Sequence, residues 1–314
     1  MIRELDHRGA GLRGIVAAML RRGLPFALSL LVLSIAGCPS DDGQADEVGD
    51  TGSETSDTNS TSESETDTGS LADPNLLEVP GGTFDMGCAD SDGNCDGDNQ
   101  PVHSVTVSPY WIEATEVTAI AYQECFDAGG CSEPNSGGSC SWGNPIANQH
   151  PINCVTWQQA SDYCTWKGRR LPSEAEWEFA ARSTSGRAYP WGSAVASCEI
   201  AHMFQMTTEQ STYGCDTNDT APVGSYPGGA SPVGALDMAG NVEEWVADWY
   251  SDTWYGESPA SDPSGPAEGT LRSVRGGDWY DASPFNLRTM KRARSNPDVG
   301  APERGFRCAA DQNP

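Results

Sequence analysis

"GALDMAGNVEEWVADWY", residues 234–250, sets a carboxylate, two glycines, an amide and two more carboxylates around one point and runs at once into Trp245, Trp249 and Tyr250. Gly240-Asn241 suits a tight turn, because both residue types tolerate positive φ. Two readings of the flanking oxygens follow. Glu243 and Glu244 are solvated beside a plain turn, or the group converges as hard donors of the kind calcium takes.

Upstream, "INCVTWQQASDYCTWKGRRLPSEAEWEFAAR" (152–182) is the clearest helical pair. Thr156 is placed to cap the first helix and Gly168 to stop it, while Ser173 and Glu176 form a capping box for the second. Trp157, Tyr163, Trp177 and Phe179 then fall on core faces. "LLEVPGGTFDMG" (76–87) and "HSVTVSPYWIEATEVT" (103–118) read as two strand-like pieces, with Glu116 opening a helix toward "AYQECF". Between them "CADSDGNCDGD" (88–98) resembles a calcium loop only superficially: Cys95 stands where an EF-hand needs glycine, and the twelfth-position glutamate is missing.

The chain carries 45 acidic and 18 basic side chains, a formal charge of −27, so nucleic acid is excluded as a partner on electrostatic grounds. "MLRRGLPFALSLLVLSIAGC" (19–38) has paired arginines, an apolar run too short to span a bilayer, and small residues before a cysteine. Residues 1–37 therefore read as a lipoprotein signal peptide, and Cys38 as the lipid-bearing anchor. Residues 38–75 are acidic, Ser/Thr-rich and almost free of apolar groups, a disordered tether. Pro39, in place of an aspartate, favours the outer membrane of a bacterial cell envelope. Residues 76–314 make one domain holding all ten tryptophans and the ten remaining cysteines. An even cysteine count after export points to disulfides. Cys88–Cys95 and Cys125–Cys131 are close enough in sequence to pair.

"VPGGTFDMG", "YCTWKGRRLPSEAEWEFAAR", "YPWG", "APVGSYP", "LDMAGNVEEW", "RGGDW" and "GFRCA" follow one another in this order. Together they resemble the formylglycine-generating enzyme family, also called sulfatase-modifying factors, over Leu77 to Asp311. The resemblance implies an α+β fold of that family, C-type-lectin-like, poor in regular structure and disulfide-rich. It implies a structural calcium at the side chains of Asp237 and Glu244 with the backbone oxygens of Gly240 and Val242. It also implies a bridge between Cys164 and Cys308. A second family bridge falls on Ala181 and Lys291, and both halves are absent. By elimination Cys140–Cys154 and Cys198–Cys215 remain as pairs.

Enzymes of this family bind copper(I) with two cysteines after "RGG" and use it with oxygen to convert a substrate cysteine to formylglycine. The matching positions here are Asp281 and Asn286, and the serine common just before them is Asp278. Copper(I) is soft and prefers thiolates, so a carboxylate and an amide argue against copper as a cofactor and leave calcium as the implied one. There is no G-x-S-x-G elbow, no phosphate loop and no HxH or HExxH spacing.

Eight of the thirteen Lys and Arg residues of 76–314 lie between Arg272 and Arg307. Arg275, Trp279, Phe285, Arg288 and Arg292 are the candidate ligand groove, because guanidinium forks hold carboxylates and aromatic faces hold apolar groups. The rival role for such arginines is to brace a loop-rich core against its many acids. The leading reading is an exported binding module for an extracytoplasmic peptide or small ligand. The alternatives are a formylglycine-generating or other metal-dependent oxidase, and a structural surface protein.

Overall fold

The computed structural model describes residues 73–89, 95–206 and 211–313. The proposed leader, Cys38 and nearly all of the proposed tether lie outside these residues. The folded part starts earlier than Leu76. Asp73 pairs with Arg169, and its backbone N–H donates to Asn313 Oδ1 at 3.1 Å.

Each strand-like piece of the N-terminal third is two strands. β1 (Leu76–Val79) and β2 (Gly82–Met86) are broken at Pro80-Gly81, and β3 (His103–Val107) and β4 (Tyr110–Glu113) at Ser108-Pro109. The breaks face each other, since Val79 pairs Tyr110 and Gly82 pairs Val107. Proline withholds a ladder donor. At Gly81 φ is +71°, and a Cβ there would lie 2.5 Å from the Val107 carbonyl oxygen. A side chain would clash, and the chain turns both strands into a new sheet together.

Three short helices follow: α1 (Ala119–Asp127), α2 (Trp157–Trp166) and α3 (Glu174–Arg182). Thr156 and Ser173 cap α2 and α3 in capping boxes closed by Gln159 and Glu176. Gly168 follows α2 in the left-handed region at φ +71°. Glu116 opens no helix, because Thr118 caps α1 through Ala121 N–H.

β5 (Gln205–Met206) pairs β6 (Ser211–Thr212). The remaining strands are β7 (Glu243–Trp249), β8 (Arg272–Arg275), β9 (Ala293–Ser295), β10 (Arg304–Gly305) and β11 (Ala309–Ala310). One sheet has the order β10-β7-β8-β9, and another places β4 between β1 and β11. Among the described residues no helix exceeds the ten residues of α2, so the expectation of little regular structure holds.

One core cluster joins Phe84, Val105, Trp177, Phe179, Met238 and Val246. A second joins Tyr122, Tyr163, Trp245, Val274 and Phe306 around Cys164–Cys308. Burying each large side chain contributes about 2–3 kcal/mol, and two of the disulfides, Cys125–Cys131 and Cys164–Cys308, are themselves part of the second core. All five bridges are present: Cys88–Cys95, Cys125–Cys131, Cys140–Cys154, Cys164–Cys308 and Cys198–Cys215.

Candidate functional site

β8 ends at Arg275 and delivers the chain into Gly276-Gly277, both at positive φ. A Cβ on Gly277 would sit 2.8 Å from Asp281 Oδ2 and 3.0 Å from the Asn286 carbonyl oxygen, so only glycine lets the loop fold back this tightly. The result brings Asp281 and Asn286 together: Asn286 Nδ2 donates to Asp281 Oδ1 at 2.6 Å. They line a cavity of about 220 Å³ with Glu243, Asp278 and Lys291. The Tyr280 N–H donates to Asp278 Oδ1 at 2.6 Å, and the Asp278 N–H to Asp281 Oδ2 at 3.3 Å. Burial, then the charges of Asp281 and Glu243, push the Asp278 carboxyl up to about 8. Burial also raises Asp281 and Glu243.

This donor set does not fit copper(I). Its oxygen atoms are hard, and every cysteine of residues 76–314 is held in a disulfide. The pocket suits a ligand that donates hydrogen bonds or carries positive charge.

The groove residues separate into two groups. Arg275 is 1% exposed and donates to Glu178 Oε2 at 2.5 Å, Glu174 Oε1 at 3.3 Å and the Thr289 carbonyl at 2.7 Å. Arg292 is 2% exposed and grips both Glu174 oxygens, at 2.7 and 2.9 Å. Both guanidinium groups are committed to buried acids and brace α3 against β8 and the segment entering β9. Trp279 is buried too, its Nε1–H donating to the Pro302 carbonyl at 3.2 Å. Phe285 is 52% exposed, and the Arg288 guanidinium carbon lies 5.9 Å from its ring centre. Tyr280, in the same aromatic run, is 48% exposed and stacks on Tyr213 at 4.0 Å between ring centres.

The implied calcium ligands are not all free to converge. Glu244 is fully buried and accepts Arg307 Nε at 2.8 Å, Arg307 Nη2 at 2.8 Å and Trp177 Nε1 at 2.9 Å. A cation added there would compete with the guanidinium. Asp237 accepts the Gly224 N–H at 2.5 Å and faces a different carboxylate, Glu116. Glu116 is 1% exposed, takes Asn241 Nδ2 on Oε1 at 3.1 Å, and has no hydrogen-bond donor on buried Oε2. That orphaned oxygen beside Asp237 is what a hard cation would satisfy, so the fit improves with Glu116 in place of Glu244. Sequence reasoning missed Glu116 because it lies 125 positions from Asn241.

Residues 61–312 match the family described as sulfatase-modifying factor enzyme 1-like domain. The chain belongs to this family. Within the sulfatase-modifying factor family it is 33% identical to the formylglycine-generating enzyme of Streptomyces coelicolor, covering 75% of this chain and 88% of that one. It is 29% identical to the inactive Cα-formylglycine-generating enzyme 2 of Mus musculus, covering 77% and 87%. Among solved structures, PvdO from Pseudomonas aeruginosa is similar with a TM-score of 0.63 at 29% identity, covering 76% of this chain and 94% of that one.

Proposed function

We propose that this sulfatase-modifying factor domain is a ligand-binding module rather than a copper oxidase, its ligand entering the cavity lined by Asp278, Asp281 and Asn286. The observation that carries it is the Asn286 Nδ2–Asp281 Oδ1 hydrogen bond at 2.6 Å, at the two positions where the family's oxidases need thiolates. A carboxyl and an amide held together by their own loop are preorganised for binding and offer no electron carrier. The relative named as inactive supports a family in which the fold outlives the oxidation. The test is mass spectrometry of a sulfatase-type cysteine peptide incubated with the oxidised chain, copper and oxygen, beside an active enzyme. No aldehyde is expected, and aldehyde formation would overturn the proposal.

Calcium belongs to the same proposal, held by Asp237 and Glu116 with backbone oxygens of Gly240 and Val242. It would neutralise two buried carboxylates and fix the turn beneath β7. Calcium at a hundred times its Kd should add about 2.7 kcal/mol of stability, and Glu116→Gln should abolish the gain. Calcium-independent melting of the parent protein would refute the site. Five disulfides suit an oxidising compartment outside the cytoplasm. Attachment there through lipidated Cys38 predicts that Cys38→Ser moves the chain from the membrane fraction to the soluble one.

A further inference from the structure

We infer that the cavity lined by Trp157, Ser161 and Ser264 is a sugar-binding site, which takes one neutral pyranose ring, free or at the end of a glycan. The cavity measures about 440 Å³, within the range of small-molecule sites. It lies where α2, the start of α3, β7 and residues 262–264 meet, and every residue lining it is among the described ones. It shares no lining residue with the Asp281 cavity, so it stands or falls separately from the binding proposal above.

The charged groups of the wall are already engaged. Arg170, its one cation, donates from Nη1 and Nη2 to Glu176 at 2.7 Å, from Nε and Nη2 to Asp311 at 2.9 and 2.7 Å, and from Nη1 to the Leu171 carbonyl at 3.3 Å. A guanidinium has five N–H donors, and these five bonds use them. Glu176 and Asp262 outnumber it as carboxylates, so an anionic ligand would meet repulsion with no spare donor of Arg170 to offset it. A cation gains little either. Glu176 is neutralised by Arg170, while Asp262 is exposed and accepts the Ser108 N–H at 2.6 Å and the Ser108 hydroxyl at 2.8 Å.

What the cavity offers is apolar surface together with hydroxyls. Trp157 spends its Nε1–H on the Val246 carbonyl at 2.8 Å, so its contribution is ring surface, to which Leu171 and Pro263 add aliphatic surface. The Ser161 and Ser264 hydroxyls have no partner among the described residues, and the Ser173 hydroxyl, which accepts the Glu176 N–H at 3.2 Å, keeps its own proton to give. A purely apolar ligand would take water from these groups without replacing it. A pyranose meets both demands, laying a face of C–H bonds on the indole while its hydroxyls bond to serine and carboxylate oxygens. The wall is also fixed in advance. Thr156 caps α2 just before Trp157, Arg272 is clasped between the Trp157 and Trp249 rings at 3.7 and 3.5 Å, and the Asp262 N–H donates to the Thr106 carbonyl at 2.8 Å. Little ordering is left to oppose binding.

The experiment titrates the full chain, in EDTA so that no divalent metal takes part, with the methyl glycosides of glucose, galactose, mannose and N-acetylglucosamine, and follows binding by saturation-transfer difference NMR. At least one should bind saturably in the millimolar range, with the strongest transfer to its ring C–H protons. Methyl glucuronide, methyl glucosaminide and cyclohexanol, which are anionic, cationic and apolar, should each bind about tenfold or more weakly. Ser264→Trp, at an exposed position, should fill the cavity and abolish binding, and Ser161→Ala should weaken it about fivefold. A short oligomer of the best sugar that binds more than about tenfold tighter than the single ring marks a glycan as the source, and any smaller gain marks a free sugar; both support the site. No saturable binding by any of the four glycosides, a charged or apolar probe binding as well as the best of them, or binding that survives Ser264→Trp would overturn the inference. The parent titration needs no variant to fold.

Discussion

Replacing Arg307 by methionine removes a fully buried charge contact while nearly keeping its volume. The guanidinium and the Glu244 carboxylate are both fully buried and joined by two bonds of 2.8 Å; the remaining donors hold the Glu113 carbonyl at 3.0 Å and the Leu236 carbonyl at 2.8 Å. After Arg307→Met, Glu244 keeps only the Trp177 indole N–H, and two carbonyls lose the donor described for them. Breaking one side of a buried pair costs about 3–5 kcal/mol, mainly because the survivor is charged and unpaired. The assay is urea unfolding with the disulfides intact, followed by tryptophan fluorescence in EDTA so that calcium does not enter. The double variant Arg307→Met/Glu244→Leu should recover at least half of the loss, since no orphan charge remains. A single-variant loss below about 1 kcal/mol, or a double variant no better than the single, would refute the reasoning.

Asp278 should make the domain less stable as pH rises. Its native carboxyl stays protonated up to about 8 while the unfolded one ionises from 3.8, so stability is complete below 3.8 and falls between these values. Asp278→Asn should flatten the melting temperature between pH 5 and pH 8, and an unchanged slope would count against the shift. Loss of Cys164–Cys308, which closes a separation of 144 residues, should cost about 5 kcal/mol, against about 2 for Cys125–Cys131 with its separation of 6. Unfolding midpoints of the two double-serine variants decide the order.

What the sequence disclosed was local. The caps at Thr156 and Ser173 and the stop at Gly168 depend on residues within one turn, and all three hold. Asp281 and Asn286 were located through the family resemblance, but the hydrogen bond between them was not foreseen. That arginines such as Arg275 brace the core against its acids was a reading open to the sequence; that Glu174 is the partner was not, since it lies 101 and 118 residues from Arg275 and Arg292 and nothing local marks it. A helix-initiating glutamate also looks no different from a buried one when charge type is the only clue, and so Glu116 was misplaced. The split of the N-terminal strands was written in Pro80-Gly81 and Ser108-Pro109, yet each reads as a minor interruption until the two are seen side by side.

β1 and β11 flank the same strand, β4, and the Asp73 N–H meets the Asn313 side chain at 3.1 Å. The folded domain thus enters and leaves at one spot, like a bead on a single stem. Such a body can be grafted into a surface loop of another protein without prying the loop apart, and its order of segments can be rewired by joining residue 73 to residue 313 and cutting elsewhere. For this scaffold, that makes the point of attachment a free choice of the architecture.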